Sequence, residues 1–193
     1  MATVNLNPDG TVSNNWDVSA GDTAHDALRT SGSATYIRTT DQSKTCIVTL
    51  DDYSSGGTIT SIRYCVSGFM FNARSGDTDI QVILENSSGS ALFTETETLN
   101  FNSYVAEDHY GTARTTSDGS TAWNDSDLDG LRLNINTSPE DPPSPSYATV
   151  IKAWVEVTYT AAGYGNKVNG VAAASIGKVD GVATANISKV IGV

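Results

Sequence analysis

The sequence predicts an all-β fold, an antiparallel jelly-roll-type β-sandwich followed by a short C-terminal repeat appendage. Composition is the first reason, because Thr, Ser, Asp, Asn and Gly are abundant while Lys and Arg total 11 among 193 residues. Such usage favours strands and turns over helices. The second reason is that short alternating runs of apolar and polar residues, separated by Gly, Asn, Asp and Ser clusters, continue to about residue 161. We therefore expect a sandwich domain over residues 1–161 and a distinct appendage over residues 162–193.

The clearest predicted strand is the last one, residues 148–160. One face of this strand would carry Ile151, Ala153, Val155, Val157 and Tyr159, and the other Lys152, Trp154, Glu156 and Thr158. Further strands are predicted at 62–71, where Gly68 suggests a bulge, and at 80–85 and 131–136. Weaker candidates lie near Val4 and Tyr36 and within 46–50, 91–101 and 109–115. No stretch sustains a helical period, so eight or nine strands are expected.

Two cysteines, Cys46 and Cys65, fall in predicted strands. Two thiols are too few for a disulfide framework, so we expect buried free thiols, although pairing stays possible if their strands are neighbours. Residues 137–147 contain Pro139, Pro142, Pro143 and Pro145 and are predicted to form a long surface loop.

The appendage follows a glycine-containing hinge at residues 161–165 and repeats every eleven residues. The units begin at Lys167, Lys178 and Lys189, and each has Val and Gly in the same register. Asn-Gly or Asp-Gly between valines predicts a tight turn. Units this short cannot bury their own apolar residues, so we expect the appendage to bind a partner. The predicted partner-binding residues are Val168, Val171, Ile176, Val179, Val182, Ile187, Lys167, Lys178 and Lys189. A disordered tail is the alternative.

Charge excludes several partners. Acidic residues outnumber basic ones 22 to 11, which disfavours nucleic-acid binding. The appendage has a net charge of +2, which leaves −13 on residues 1–161. No stretch approaches the roughly 20 apolar residues of a membrane span, and the N-terminus has no signal-peptide pattern, so we expect neither a membrane partner nor secretion.

No catalytic residue and no cofactor are predicted. His25 and His109 lack a metal-binding context, and no phosphate loop or nucleophile motif occurs. Paired carboxylates can cleave glycosides, but the sequence singles out no pair. Asp125, Asp127 and Asp129 precede Gly130 as in calcium loops, yet position 136 is Asn instead of the closing Glu, so a solvated turn pinned by Leu128 is the preferred interpretation.

Several aromatic residues lie in or beside predicted loops and are candidates for stacking on sugar rings. They are Trp16, Tyr53, Tyr104, Tyr110, Trp123 and Tyr147, of which Trp16, Tyr110 and Trp123 form the proposed glycan-binding set. The alternative is that these side chains cap the ends of the sandwich.

Two stretches resemble known families. Residues 116–123, ending in Trp123, then Asp127-Leu-Asp-Gly-Leu-Arg-Leu133, then Ala148 to Tyr159 ending in Val-Glu-Val-Thr-Tyr, resemble the closing half of jelly-roll domains in tailed-bacteriophage virion proteins. The Lys-Val-(Asn/Asp)-Gly-Val-Ala units resemble C-terminal repeats of phage structural proteins. The proline-rich stretch departs from that pattern.

The resemblance implies a non-enzymatic virion structural protein, most specifically a capsid decoration or cement protein, assembled in the host cytoplasm. Its partners would be the major capsid protein or tail components, with homo-oligomers such as a trimer expected. A tail-fibre or host-attachment module that binds surface glycans is the alternative, and a depolymerising enzyme is the third hypothesis.

Overall fold

The computed structural model describes residues 1–19, 23–29, 35–71, 78–100, 105–137 and 147–161, together with the backbone of 178–179 and 182–183. Within these ranges two antiparallel sheets form a sandwich. Sheet I contains β1 (Ala2–Leu6), β3 (Asp17–Val18), β4 (Ile37–Thr39), β6 (Thr58–Phe71), β9 (Glu107–Tyr110) and β11 (Tyr147–Thr160). Sheet II contains β2 (Pro8–Asn14), β5 (Thr45–Leu50), β7 (Thr78–Glu85), β8 (Ala91–Leu99) and β10 (Arg132–Thr137). The predicted jelly-roll-type β-sandwich is confirmed.

The strand order shows how the chain moves between the layers. Sheet I has the order β3-β4-β11-β6-β9, and sheet II has the order β2-β5-β10-β7-β8. β1 also pairs with β11, along residues 155–159, while β4 pairs with residues 148–150. Because β6 occupies the other side of β11, β1 and β4 lie end to end along one edge. The chain then crosses from β1 to β2 at Asn7, into the opposite sheet.

The core lies between the sheets and is built from the apolar positions of their alternating strands. Ile80, Val82 and Leu84 of β7 and Leu133 and Ile135 of β10 are fully buried, as their alternation predicts. Both cysteines are buried and free, Cys46 in β5 of sheet II and Cys65 in β6 of sheet I, which confirms the prediction of unpaired thiols.

The last strand was predicted correctly in extent, but one side chain was assigned to the wrong face. A register shift lies between Val150 and Lys152 in the pairing of β11 with β6. Ile151 is therefore the extra residue of a β-bulge. Ala148 and Val150 consequently share the core face with Ala153, whereas Ile151 is only half-buried and does not belong to the core cluster.

Four described elements were not predicted, namely β2, β3 and the helices α1 (Ala24–Arg29) and α2 (Asp125–Leu128). α1 begins after Thr23, whose side chain donates to Asp26 Oδ2 at 2.6 Å, and it buries Ala24, Ala27 and Leu28. At six residues the helix is too short to show a helical period in the sequence. Arg29 fixes its C-terminal end with hydrogen bonds to Asp51 Oδ1 at 3.0 Å and to the Pro8 carbonyl at 2.8 Å.

The proline-rich segment, the predicted boundary at 162 and most of the appendage lie outside the described residues. This applies to Lys167, Val168, Val171, Ile176, Ile187 and Lys189. The described backbone includes β12 (Lys178–Val179) and β13 (Val182–Ala183), which pair antiparallel with Val179 opposite Val182. The tight turn predicted between these strands lies outside the described residues. Among the described residues, no helix has the length and apolar character needed to cross a bilayer.

The glycine predicted to mark a bulge lies directly opposite the bulged strand. Gly68 pairs with Val150, and a Cβ at position 68 would stand 2.8 Å from the carbonyl oxygen of Thr149 and 3.1 Å from Leu99 Cδ2. The Thr149 oxygen belongs to the backbone of the central strand, so it cannot rotate away. The glycine therefore permits the close approach of the two central strands.

We expect Gly68→Ala to lower the free energy of unfolding by about 1–3 kcal/mol, because the added methyl must displace backbone. Urea denaturation followed by circular dichroism measures this change. Ser61→Ala, on the same strand and only half-buried, is the control, and equal stability of the two variants would show that β6 and β11 tolerate the methyl group.

Candidate functional site

The outer face of sheet I carries a cluster of aromatic and charged side chains, which we call the aromatic face. It consists of Arg63, Cys65, Tyr110, Lys152, Trp154 and Glu156. These residues come from three adjacent strands, since Trp154 of β11 lies opposite Cys65 of β6, which lies opposite Tyr110 of β9. The alternation that points Tyr64 and Val155 into the core therefore points this set outward.

The members of the aromatic face contact one another through ring and charge interactions. The rings of Tyr110 and Trp154 meet edge to face with centroids 6.2 Å apart. The Lys152 ammonium lies 4.4 Å from the centre of the Trp154 ring, and the Arg63 guanidinium lies 4.4 Å from that of Tyr110. Arg63 also donates to Glu156 Oε1 at 2.8 Å. The cluster is thus ordered by its own contacts before any partner arrives.

Exposure differs sharply within this face. Tyr110 is 44% exposed, whereas Trp154 is only 6% exposed and Cys65 is fully buried. Because the two aromatic residues flank Cys65 in one row across the strands, their rings cover its thiol. Burial, with a smaller contribution from the Asp108 carboxylate, raises the pKa of Cys65 to about 12.

Sequence reasoning identified Tyr110 as a candidate but missed the rest of this face. The signal was present, because Lys152, Trp154 and Glu156 alternate with core residues along β11 and Arg63 alternates with Ile62 and Tyr64. What the sequence does not contain is the pairing of β6 with both β9 and β11, which brings these residues together.

The other two predicted sugar-stacking residues belong to the core. Trp16 and Trp123 are each 4% exposed and lie in the buried cluster. The Trp123 indole N–H donates to the Arg114 carbonyl at 2.9 Å, which fixes its ring within the protein. With so little of either ring exposed, both side chains contribute mainly to the core.

The acidic run at 125–130 forms a capped helical turn. Its helix α2 (Asp125–Leu128) has Asn124 as N-cap, and Asp127 Oδ2 accepts from the Asn124 backbone N–H at 3.0 Å. Leu128 is fully buried. Asp127 therefore stabilises the start of the helix. Among the described residues, which include Asp125 and Asp129, no group of three potential metal ligands occurs.

A depression of about 280 Å³ adjoins this turn. Its lining includes Asn86, Asp118, Trp123, Asp127 and Asp129. The backbone N–H groups of Thr121 and Ser120 donate to Asp118, which holds the pKa of that carboxyl well below its ordinary value. Since the carboxylates of Asp118 and Asp127 are both committed to local turns, this depression offers few free ligand contacts.

A further group of titratable residues closes the edge of the sandwich between β8 and β9. Glu95 and Glu97 of β8 point inward, and the Tyr64 hydroxyl donates to Glu97 Oε1 at 2.6 Å. Arg114 donates to Glu95 Oε1 at 2.7 Å, and His109 Nδ1 lies 3.7 Å from Glu97 Oε2. The sequence did not reveal this group, because the run Thr94 to Thr98 contains no apolar residue to identify its inward face.

The carboxylate of Glu95 is held in its ionised form. Burial opposes ionisation, but donation from the Thr112 N–H at 2.8 Å and from Arg114 outweighs it and lowers the pKa of Glu95. Gly111 lets the chain pass close to this group, since a Cβ there would clash with the Tyr64 ring. These contacts indicate a structural role, because each oxygen of Glu95 already accepts a hydrogen bond.

Comparison with known proteins gives likeness of fold alone. No family model and no curated protein matches the sequence. Among solved structures, the chain is similar to the Agl-KA catalytic domain (13% identity, TM-score 0.47, covering 88% of this chain and 30% of that one). It is also similar to truncated AlyQ with CBM32 and alginate lyase domains, with 11% identity and a TM-score of 0.46 over 87% of this chain and 38% of that one. A third similar structure is the CBM22-1 xylan-binding domain of Paenibacillus barcinonensis Xyn10C, with 13% identity and a TM-score of 0.43 over 82% of this chain and 95% of that one.

The extent of these likenesses is limited. The chain spans 22% of an arabinose-bound α-L-arabinofuranosidase structure and well under half of the first two structures described above. At such identities and with TM-scores below 0.5, they assign no family, ligand or activity to this chain.

Glu95→Gln is expected to destabilise the protein by about 1–3 kcal/mol at pH 7, because it removes the charge that Arg114 and Thr112 stabilise. The pKa of Glu95 is lowered on folding, so this stabilisation is complete above the unfolded value of about 4.3 and is lost as pH falls through the folded value. Urea denaturation at pH 7 and at pH 3 measures the difference from wild type.

That difference should shrink at pH 3. Asp52→Asn, a change at an exposed carboxylate, serves as the control and should have little effect at either pH. A difference between wild type and Glu95→Gln that stayed constant from pH 7 to pH 3 would contradict an ionic role for Glu95.

We expect Tyr110→Ala to accelerate modification of Cys65 by a thiol reagent at least about tenfold, because removing the ring that covers the thiol admits the reagent. Mass spectrometry of the modified peptides measures the rate, and the buried Cys46 of sheet II provides an internal control. Val12→Ala, at another exposed apolar position, should leave both rates unchanged; an unaltered Cys65 rate in Tyr110→Ala would show that the ring does not cover the thiol.

Proposed function

We propose that this chain is a non-enzymatic structural protein of a bacteriophage virion, most specifically a capsid decoration or cement protein, and that its aromatic face binds a neighbouring virion protein. The aromatic face is the observation that carries this proposal. Trp, Tyr and Arg are the residue types that dominate the binding free energy of protein interfaces, and here they occur together. The phage context is supported by the resemblance of residues 116–159 and of the eleven-residue repeats.

The charge of the aromatic face suits protein association. Residues 1–161 carry a net charge of −13, but on this face the positive side chains of Arg63 and Lys152 balance the carboxylates of Glu156 and the adjacent Asp108. A partner with an acidic surface is therefore repelled less here than elsewhere. Ion pairs that are already formed also reduce the ordering cost of binding.

The appendage would supply a second contact. Its lysines give it a charge opposite to that of the body, and its regularly spaced Val and Ile residues need an apolar surface. Two weak contacts on one chain reinforce each other when both reach the same shell, since the second binding event becomes intramolecular. Anchoring by both elements fits a protein bound to an assembled lattice in many copies.

Quantitative mass spectrometry of virions tests this function. Wild-type protein should be present in many copies per particle, as a head protein is, and Tyr110→Ala should reduce the copy number at least about fivefold through loss of an interface anchor. Truncation after Ala162 should likewise reduce incorporation while leaving a cooperatively melting β-rich domain. Thr94→Ala, at an exposed position of β8 in sheet II, is the matched control.

Two results would contradict the proposal. Absence of the protein from virions would exclude a structural role, and incorporation of Tyr110→Ala at the wild-type level would exclude the aromatic face as the docking surface. A copy number of a dozen or fewer would favour a tail position over the head.

A further inference from the structure

We propose that the outer face of sheet II is a binding site for a neutral saccharide. The site is built on a row of hydroxyl and amide side chains, which we call the amide row: Thr45, Asn136, Gln81 and Thr96. This function goes beyond the virion role proposed above and uses the opposite side of the sandwich.

The amide row is continuous across four adjacent strands. Thr45 of β5 lies opposite Asn136 of β10, which lies opposite Gln81 of β7, which lies opposite Thr96 of β8. Neighbouring strands are about 4.7–4.9 Å apart, so the row extends for roughly 14 Å across the sheet. An extended ligand lying across the strands would contact these side chains in turn.

Two buried amide oxygens on this face lack hydrogen-bond partners among the described residues. Asn134, in the next row, is only 8% exposed, and its Oδ1 accepts no hydrogen bond although its Nδ2 donates to Glu85 Oε1 at 2.6 Å. Asn136 Oδ1 is likewise buried and unpartnered. A buried acceptor without a donor costs about 1–3 kcal/mol.

A depression of about 240 Å³ lies over the amide row. It is lined by Ser43, Thr45, Gln81, Asn136 and Thr137, all of them neutral and polar. Asn134 stands beside it between Ile47 and Ile83, which pair with it from the two adjacent strands. The face thus combines hydrogen-bonding groups with a small apolar surface, the combination that a sugar ring requires.

The chemistry of the row selects the ligand. A primary amide both donates and accepts, so it can bind two neighbouring hydroxyl groups of one sugar residue. The nearby charges are already engaged: Glu85 accepts from Asn134, Asp79 accepts from Thr98 at 2.7 Å, and Arg132 donates to the Ser87 carbonyl at 2.6 Å. Lys44, next to Thr45, is paired with Asp41 at 3.3 Å. No free cation therefore lies along the described part of the row to attract a phosphate or a uronate, which points to an uncharged saccharide.

The position of the site is compatible with docking through sheet I. The two outer faces are on opposite sides of one core, so a protein attached by its aromatic face would present the amide row to solvent. Aromatic stacking is not the basis of this site, in contrast to the expectation for Trp16, Tyr110 and Trp123.

Isothermal titration calorimetry with cellohexaose, xylohexaose, maltohexaose and mannohexaose tests the proposal on the full chain. At least one of these neutral hexaoses should bind, and Asn136→Ala and Gln81→Ala should each weaken its affinity about tenfold, as expected for loss of a ligand hydrogen bond. Gln81 is exposed, so its variant retains the fold, which the melting temperature verifies. In nuclear magnetic resonance spectra, the side-chain amide signals of Asn134 and Asn136 should shift on titration.

Asn5→Ala, at an exposed strand asparagine of sheet I, is the matched control, and Tyr110→Ala tests the aromatic face. Both should bind as wild type does. If Tyr110→Ala lost hexaose binding while Gln81→Ala retained it, the site would lie on sheet I and the proposal would be overturned. Failure of all four hexaoses to bind at millimolar concentration, or tighter binding of oligogalacturonate, would overturn it as well, whereas neither result bears on the copy number of the protein in virions.

Discussion

The pairing of β6 with β11 is the interaction on which the remaining structure depends. These two strands of 14 residues each lie at the centre of sheet I, and every other strand of that sheet pairs with one of them or with a strand that does. Their alternation places Tyr64, Val66 and Val155 in the core and Arg63, Cys65 and Trp154 on the opposite side. One register therefore determines both the core and the aromatic face, and a slip by one residue would exchange them.

The bulge at Ile151 shows how much of this arrangement a sequence reveals. Alternation identified β11, β7 and β10, because their apolar residues recur at every second position. Alternation alone also placed Ile151 in the core, since the extra residue of a bulge is visible only when the partner strand is known. The short elements β3 and α1 were not predicted for a related reason, because β3 has two residues and α1 has six, which is too few to display a period.

The residues of the two proposed binding faces were hardest to predict, because they come together only across neighbouring strands. Tyr110 was recognised individually, but its contact with Trp154, some 44 residues later, follows from the sheet order alone. The amide row is a stronger case, because Thr45, Gln81, Thr96 and Asn136 are unremarkable polar positions along their own strands. Only the cross-strand register aligns them. Trp16 and Trp123 illustrate the opposite error, because a large aromatic side chain near a loop is equally suited to closing the core.

The inward-facing glutamates of β8 oppose the addition of another strand at this edge of sheet II. β8 is the terminal strand of sheet II, and nine residues of exposed backbone there would otherwise template pairing with another chain. A strand added beside β8 would crowd Glu95 and Glu97, whose carboxylates are held at the open edge by Tyr64 and Arg114. Inward charges at an edge oppose this addition, because extending the sheet would bury them further from water. Protection of the β8 edge is consistent with the binding proposed above for the two outer faces, where side chains instead of backbone would determine which partner binds.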